Sequence, residues 1–248
     1  MNILETIVAG LRPEVDRLKR EVPLEETGFP ERPSFRKNFP GVIAEVKKAS
    51  PSKGLIREDF HPMELALELE SAGAAALSVL TEPNRFLGST AYLREISGKV
   101  KIPTLRKDFI FDEYQILEAK HCGASAVLLI AAMLEQRDLV RLAEYARKLD
   151  LDILGEAHNR EEIVRLLDSP VTLIGVNARN LKTFDTDLAL VETLISEIPP
   201  ERYPVAESAI RSADDIRRLK SAGAVGFLIG ETLMRAASPG EKLKELLG

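Results

Sequence analysis

The chain repeats one pattern eight times from Val42 onward: a short apolar run, a polar loop and a segment with helical periodicity. Strands that alternate with helices in this way are usually parallel and joined by right-handed crossovers. Eight such units in 248 residues predict a single-domain (β/α)8 TIM barrel of the α/β class. The apolar runs are 42–46, 75–80, 102–106, 125–130, 152–155, 171–176, 204–206 and 224–229.

The segments between the runs carry start and stop signals of helices. Ser212 precedes one helical segment and Gly223 follows it, and Gly73 and Gly123 end two others. The alternative fold is a doubly wound open sheet, which normally has a glycine-rich phosphate turn after its first strand. Neither the dinucleotide fingerprint nor the P-loop pattern occurs in this sequence. The closed barrel is therefore the predicted fold.

The first 41 residues do not follow this repeat and predict an N-terminal extension. Residues 23–41 are rich in proline and contain three phenylalanines, which predicts an irregular connector attached through its aromatic side chains. Pro13 is expected to break or kink the helix that precedes it. We thus predict a helical extension with its connector at 1–41 and a barrel at 42–248. The helix has apolar residues alternately four and three positions apart: Leu4, Val8, Leu11, Val15, Leu18 and Val22.

Composition argues against several classes of function. The formal net charge of −5, with acids and bases interspersed, gives no reason to expect nucleic acid or an anionic membrane as a partner. The N-terminus does not read as a signal peptide, and no apolar stretch is long enough to span a membrane. We therefore expect a cytoplasmic protein. Cys122 is the single cysteine, so we expect neither a disulfide nor a cysteine metal site. A monomer is compatible with the sequence.

Polar side chains follow seven of the eight predicted strands. A lone polar residue at a strand end is usually a loop cap, but the active site of a TIM barrel lies where all the strands end. The run 125–130 ends without a polar group, and the strand beginnings show no comparable convergence. The polar ends are Glu45, Lys47, Thr81, Glu82, Lys107, Asp108, Glu156, Asn177, Arg179, Glu207, Ser208 and Glu231.

Two lysines and two glutamates at these ends predict acid–base chemistry. Glu45 and Lys47 are two positions apart, so in a strand they point to the same side, where they form a structural salt bridge or serve a function. With Lys107 and Glu156 they provide groups whose pKa values can be separated by burial and by neighbouring charges. An ammonium can protonate a carbonyl or hold a carboxylate, and a glutamate can accept a proton. His158 is interpreted as the entry to the next helix, and we expect neither a metal nor a cofactor.

The loops after the last two strands predict a phosphate-binding site. Segments 206–212 and 228–235 each lead from a strand into a helix, so that backbone N–H groups near Ser208 and Gly230 can face an anion. In TIM barrels these loops commonly hold phosphate. The sequence therefore predicts a phosphorylated small molecule as substrate.

These residues resemble the indole-3-glycerol phosphate synthase family over nearly the whole chain. The motifs that carry the resemblance include I-A-E-V-K-K-A-S-P-S-K-G at 43–54, L-R-K-D-F-I at 105–110, I-G-V-N-A-R-N-L at 174–181 and V-A-E-S at 205–208. The resemblance implies ring closure of 1-(2-carboxyphenylamino)-1-deoxy-D-ribulose 5-phosphate, with loss of carbon dioxide and water. It implies no cofactor.

The resemblance also implies a role for individual residues. Lys107 would be the general acid that polarises the substrate ketone, and Lys47 would hold the carboxylate that leaves. Glu156 would accept the proton in the dehydration, Glu45 would orient the lysines, and Asn177 would bind a substrate hydroxyl. The implied substrate-binding residues are Ser50, Phe86, Phe109, Leu128, Arg179, Glu207, Ser208 and Gly230.

Ala209 departs from the family pattern, because the family usually has glycine in A-E-S-G-I where this chain has A-E-S-A-I. Alanine keeps the backbone N–H but is disfavoured if the backbone there has a positive φ. Glu231 places an acid beside the predicted phosphate site. One competing hypothesis is a barrel that binds a phosphorylated ligand without this turnover or is repurposed for other chemistry, for which Ala209 is the support. The other is a different phosphate-binding barrel enzyme, such as an isomerase. The pair of rim lysines does not suit the isomerase.

Overall fold

The computed structural model describes residues 3–177, Arg179 and 187–248. Within these residues eight parallel strands form a closed barrel, in which each strand pairs with its neighbour in the chain and the last pairs with the first. The predicted TIM barrel is confirmed. Its strands are β1 Gly41–Val46, β2 Ala76–Leu80, β3 Thr104–Lys107, β4 Ala126–Ile130, β5 Asp152–Ala157, β6 Leu173–Asn177, β7 Tyr203–Glu207 and β8 Gly226–Ile229.

Helices follow the strands on the outside of the barrel. Asp112 and Ser212 each form a capping box at the start of a helix, and Gly73, Gly123 and Gly223 have positive φ angles just after helix ends. No helix in the described part of the chain is long and apolar enough to cross a membrane. The helices are α1 Ile3–Glu21, α2 Pro62–Ser71, α3 Thr90–Ser97, α4 Glu113–His121, α5 Gln136–Lys148, α6 Arg160–Leu167, α7 Leu188–Ser196, α8 Ala213–Ser221, α9 Glu231–Met234 and α10 Pro239–Leu247.

Several strands extend further toward their carboxyl ends than the apolar runs suggest. Lys107 pairs with Leu80, Glu156 with Ile130, and Asn177 with Glu207. The prediction followed side-chain hydrophobicity, whereas the ladder is made by backbone groups that polar residues also supply. The polar residues of the rim therefore lie within the strands, which fixes their direction.

Helix α1 continues through Pro13 to Glu21, so the proline does not break it, and a kink near Arg12 stays a prediction. Its buried face lies on both sides of the proline, and packing of that face offsets the missing hydrogen bond. The face also differs from the predicted one, because Ile7 is buried whereas Val22 lies beyond the helix and is 48% exposed. The buried residues of α1 are Leu4, Ile7, Leu11 and Val15.

The connector after α1 closes the amino-terminal end of the barrel. Phe35 is fully buried in the same apolar cluster as the interior barrel residues Ile43 and Leu105. Its ring centroid lies 5.5 Å from that of Phe39. The Asn38 side chain donates a hydrogen bond of 2.8 Å to the carbonyl of Ala75, just before β2. The expected attachment through aromatic residues is confirmed.

Replacing Phe35 by alanine removes this closure. We expect Phe35→Ala to lower the free energy of unfolding by about 3–5 kcal/mol, because the barrel interior cannot collapse around the lost ring. Chemical denaturation monitored by circular dichroism measures the loss. Phe29→Ala is the matched control, since Phe29 is half-buried on the outside against His121 and its loss should be smaller. Equal losses for the two variants would contradict the closing role of Phe35.

Candidate active site

A cavity of about 650 Å³ opens at the carboxyl ends of the strands. Every residue that the sequence singled out for catalysis or substrate binding lines it. The catalytic candidates are Glu45, Lys47, Lys107, Glu156 and Asn177, and the binding candidates are Ser50, Phe86, Phe109, Leu128, Arg179, Glu207, Ser208 and Gly230.

The floor of the cavity is one layer of charged side chains from alternate strands. Glu45 lies on β1, Lys107 on β3, Glu156 on β5 and Glu207 on β7. In TIM barrels, layers of four interior side chains come from alternate strands in this way and are normally apolar. Here three acids and one base form the layer, which we call the charged layer.

The Lys107 ammonium lies between two carboxylates of the charged layer. Its Nζ is 3.0 Å from Glu156 Oε2 and 2.6 Å from Glu207 Oε2. The side chains of the three residues are 13%, 7% and 1% exposed, respectively, so little water competes for these contacts. Burial by itself lowers the pKa of Lys107, but the charges of Glu156, Glu207 and Glu45 outweigh it and raise the pKa. Lys107 is therefore protonated across the physiological pH range.

The two carboxylates beside Lys107 have opposite pKa shifts. Burial raises the pKa of Glu156, but the charges of Lys107 and His158 and a hydrogen bond from Asn177 outweigh it, so the net pKa is lowered. At Glu207, burial and the charges of its acidic neighbours exceed the attraction of Lys107, and the pKa is raised. Glu156 is therefore firmly ionised, whereas Glu207 takes up a proton at a higher pH than an ordinary carboxylate does. Such a separation provides distinct acid and base groups within one site.

Glu45 and Lys47 form an ion pair beside this group. The prediction that both point to one side of the strand is confirmed, and Glu45 is only 4% exposed. Glycines make room for the carboxylates of the charged layer. A Cβ atom on Gly230 would lie 2.3 Å from Glu45 Oε1, and one on Gly175 would lie 2.1 Å from Glu207 Oε1. Any larger residue at these two positions would displace a carboxylate.

Aromatic and aliphatic side chains form one wall of the cavity. The ring centroids of Phe86 and Phe109 are 5.9 Å apart, and Leu128 lies on the same wall. Leu4 and Ile7 of α1 also line the cavity, which the sequence analysis missed. Their amphipathic periodicity indicated a buried face but not which surface of the barrel it covers.

Two rim residues hold the surrounding loops. Glu82 accepts backbone hydrogen bonds from Asn84, Arg85 and Phe86, at 3.0, 2.7 and 2.9 Å, and so positions the Phe86 loop. Thr81 donates a hydrogen bond of 2.5 Å to Asp108. Asp108 is also paired with the buried guanidinium of Arg106 at 3.0 Å. These polar strand ends therefore hold the loops that surround the cavity.

The opposite side of the cavity carries cations around one acid. Glu231 lies 3.0 Å from Arg235, 3.4 Å from Arg179 and 3.8 Å from Lys53. Partial burial raises the pKa of Glu231, but its bonds to these cations lower it on balance. Arg179 also donates a hydrogen bond of 3.0 Å to Ser52 in the loop after β1. This end of the cavity is suited to an anionic group that competes with Glu231. Among the described residues, no cluster of three or more His, Cys, Asp or Glu side chains is arranged to hold a metal ion.

Comparison with known proteins decides the family. A family model described as "Indole-3-glycerol phosphate synthase" matches residues 4–246. The chain belongs to the indole-3-glycerol phosphate synthase family. Its relatives include synthases from Halalkalibacterium halodurans, 46% identical over 99% of this chain and 97% of that protein, and from Koribacter versatilis, 54% identical over 84% and 80%. A third relative, from Aliarcobacter butzleri, is 52% identical over 82% and 77%.

Solved structures with low sequence identity show the same fold. A mutant tryptophan synthase alpha-subunit from Pyrococcus furiosus has a TM-score of 0.64 at 15% identity, covering 85% of this chain and 98% of that one. The N-acetylmannosamine-6-phosphate 2-epimerase from Clostridium perfringens has a TM-score of 0.64 at 12% identity, covering 83% and 93%. Membership of the synthase family makes the chain a decarboxylating cyclase, a lyase of tryptophan biosynthesis. The alternative of a barrel without this turnover is not favoured.

His158 lies closer to the chemistry than the sequence analysis of this synthase-family chain expected. The residue does precede α6, but its ring points back to the site, with Nε2 3.4 Å from Glu156 Oε1. The spacing of two that placed Glu45 and Lys47 on one side applies equally to Glu156 and His158. That signal was present in the sequence, and reading His158 only as a helix entry missed it.

Ala209 adopts the conformation that favours the glycine usual in the synthase family. Its φ angle is 61°, and that of Ser208 is 67°. A left-handed conformation costs a residue with a Cβ atom about 1–2 kcal/mol. The backbone at Ala209 thus has the positive φ that disfavours alanine, and alanine is strained at this turn.

Ala209→Gly should relieve this strain. We expect the free energy of unfolding to rise by about 0.5 kcal/mol, because the relief exceeds the greater freedom of glycine in the unfolded chain. Ala222→Gly is the control, since Ala222 has a φ of −76° and should lose stability on the same change. Chemical denaturation of both variants measures the difference. Two losses of equal size would mean that Ala209 is not strained.

Neutralising Glu207 should stabilise the protein at alkaline pH. A carboxyl whose pKa is raised by folding binds more protons in the folded state, so its ionisation costs stability as pH rises. We expect Glu207→Gln to raise the melting temperature at pH 8 by about 2 °C, and the gain to vanish toward pH 4. Thermal unfolding across this range is the measurement.

Glu156→Gln is the control of opposite sign. The pKa of Glu156 is lowered by folding, so its ionised form contributes stability above the ordinary carboxyl pKa, which is lost as pH falls. This variant should therefore melt below the parent at pH 8. A Glu207→Gln variant that also melts lower at pH 8 would refute the assigned direction.

Proposed function

We propose that Lys107 is the general acid of the ring closure. The observation that carries the proposal is its ammonium, buried between Glu156 and Glu207 at the floor of the cavity. A proton donor aimed at the substrate ketone favours attack by the aromatic carbon, because negative charge develops on the ketone oxygen. Glu207 can return a proton to Lys107 through their contact of 2.6 Å.

Lys47 holds the carboxylate that leaves as carbon dioxide. Its side chain is 16% exposed and paired with Glu45, so it faces the cavity with its charge balanced. Before the substrate binds, Glu45 holds the Lys47 ammonium in place. When the substrate binds, its carboxylate replaces Glu45 as the partner of Lys47. Arg179 binds the same end of the substrate, for which it exchanges its weak contact with Glu231.

Glu156 accepts the proton that is lost in the dehydration. Its lowered pKa keeps it ionised and ready to accept, and Lys107 holds one of its oxygens. Asn177, at the end of the neighbouring strand, helps to lower the pKa of Glu156 and binds a substrate hydroxyl. Ionised acceptor and protonated donor thus lie in one layer, 3.0 Å apart, before the substrate enters.

The remaining candidates bind the two ends of the substrate. Phe86, Phe109 and Leu128 contact the aromatic ring, and Ser50, Ser208 and Gly230 bind the phosphate. A phosphorylated small molecule is the substrate class that fits the family. We further propose a cytoplasmic monomer with no nucleic acid partner. The division into an extension at 1–41 and a barrel at 42–248 stays a prediction.

Lys107→Ala tests the general acid. We expect indole glycerol phosphate formation, followed by indole fluorescence, to fall by a factor of about 10³, because the ketone loses its proton donor. The circular dichroism spectrum should be unchanged. Lys101→Ala is the matched control, because Lys101 is exposed just before β3, at the opposite end of the barrel, and its loss should leave turnover intact. Near-normal turnover of Lys107→Ala would exclude the assigned role.

A further inference from the structure

A histidine and a second carboxylate stand behind Glu156 and have no role in the chemistry described above. The His158 side chain is 10% exposed and directly follows β5. Its Nδ1 lies 3.2 Å from Glu162 Oε2, and its backbone N–H donates to the same oxygen at 2.8 Å. On the other side of the ring, Nε2 faces Glu156 Oε1 at 3.4 Å. Three titratable groups therefore form a row that ends at the proposed proton acceptor.

Glu162 fixes the tautomer of this imidazole. Burial raises the pKa of Glu162, but its hydrogen bonds with His158 have the larger effect, so the net pKa is lowered. Its second oxygen, Oε1, accepts a hydrogen bond of 2.7 Å from the Asn159 side chain. An ionised carboxylate only accepts hydrogen bonds, so Nδ1 of His158 carries a proton.

The proton on Nδ1 leaves two states for Nε2. In the neutral ring, Nε2 presents a lone pair toward the Glu156 carboxylate, and two acceptors facing each other are unfavourable. In the imidazolium, Nε2 carries a proton that points at Glu156. Nε2 is buried and makes no hydrogen bond to any residue that the structure describes, and the carboxylate oxygen that it faces is Glu156 Oε1 at 3.4 Å. The geometry therefore favours the imidazolium with Glu156 as its partner.

We propose that His158, held by Glu162, is a positioning residue that orients Glu156 for proton acceptance. Lys107 contacts Oε2 of Glu156 and His158 faces Oε1, so the carboxylate is fixed at both oxygens. Proton transfer depends on this geometry, since a displaced acceptor loses alignment with the substrate proton. The inference rests on the proposed role of Glu156.

The charges around the ring agree with this assignment. The groups that face His158 are Glu162 on α6, Glu156 on β5 and Glu207 on β7, and Lys107 lies beyond Glu156. Burial lowers the pKa of His158, but the hydrogen bond to Glu162 and the three carboxylates outweigh it and raise the pKa. The raised pKa extends the imidazolium form to higher pH, in agreement with the geometry, and deprotonation of the ring releases Glu156.

Turnover of His158 variants tests the positioning role. We expect His158→Ala to lower kcat by about tenfold with KM within about twofold, because substrate binding uses other residues. His158→Gln keeps an N–H donor near the Nε2 position and should restore most of kcat. It should also remove the decline in kcat at alkaline pH that ring deprotonation produces in the parent. Unchanged kcat in His158→Ala, or failure of glutamine to restore it, would overturn the inference.

Titration of the ring itself provides a test that does not depend on turnover. The chain has three histidines, so nitrogen-15 labelling of histidine gives few signals to assign. We expect His158 in the full chain to stay protonated at a pH above the ordinary histidine pKa. Glu162→Gln should lower its titration midpoint by about one pH unit, because the charge beside Nδ1 is lost. Glu161→Gln is the matched control, since Glu161 is the exposed neighbour on the same helix.

The results separate this inference from the proposed function. If Glu156→Gln retains turnover, the proposed proton acceptor is wrong and the inference falls with it. If Glu156→Gln abolishes turnover while His158→Ala does not change kcat, only the inference fails. A His158 midpoint that does not respond to Glu162→Gln would likewise overturn it, because Glu162 would then not hold the imidazolium.

Discussion

The buried ammonium of Lys107 sets the conditions that the rest of the site must meet. An unpaired charge at this depth would cost far more than a protein of this size can offset. Two carboxylates within 3.0 Å balance it, and they in turn require Lys107 to remain ionised. The ionised forms of Lys107 and Glu156 stabilise each other, whereas the ionised form of Glu207 costs stability. The arrangement is thus poised before substrate arrives, which is how preorganised charge contributes to catalysis.

The barrel supplies this arrangement because alternate strands deliver side chains to one layer. Two residues before each charged position, the same strands contribute Ile43, Leu105, Leu154 and Val205 to the apolar interior. The charged layer therefore lies directly above a layer of apolar side chains, and in such surroundings electrostatic attraction is stronger than in water. Gly175 on β6 and Gly230 directly after β8 leave the space that the carboxylates occupy. A substitution at either glycine would consequently change both the packing and the positions of the charged groups.

The extension before the barrel completes both ends of it. Phe35 closes the end away from the chemistry, and Leu4 and Ile7 form part of the cavity wall. A segment that lies outside the strand–helix repeat thus contributes to the apolar surroundings of the site. It also limits access of water to one side of the cavity, which favours the acid–base separation between Glu156 and Glu207.

The sequence by itself determined the repeat of strands and helices, the barrel, and the convergence of lysines and glutamates on one rim. These follow from local periodicity and from one rule of barrel topology, so no distances were needed. Only the tertiary structure decided which groups touch: that Lys107 is shared by Glu156 and Glu207, and that α1 covers the cavity. The reason is physical, because pKa shifts and ion pairs depend on distances between residues far apart in the chain. A sequence pattern fixes the direction of a side chain along its own strand but not the partner that it meets across the barrel.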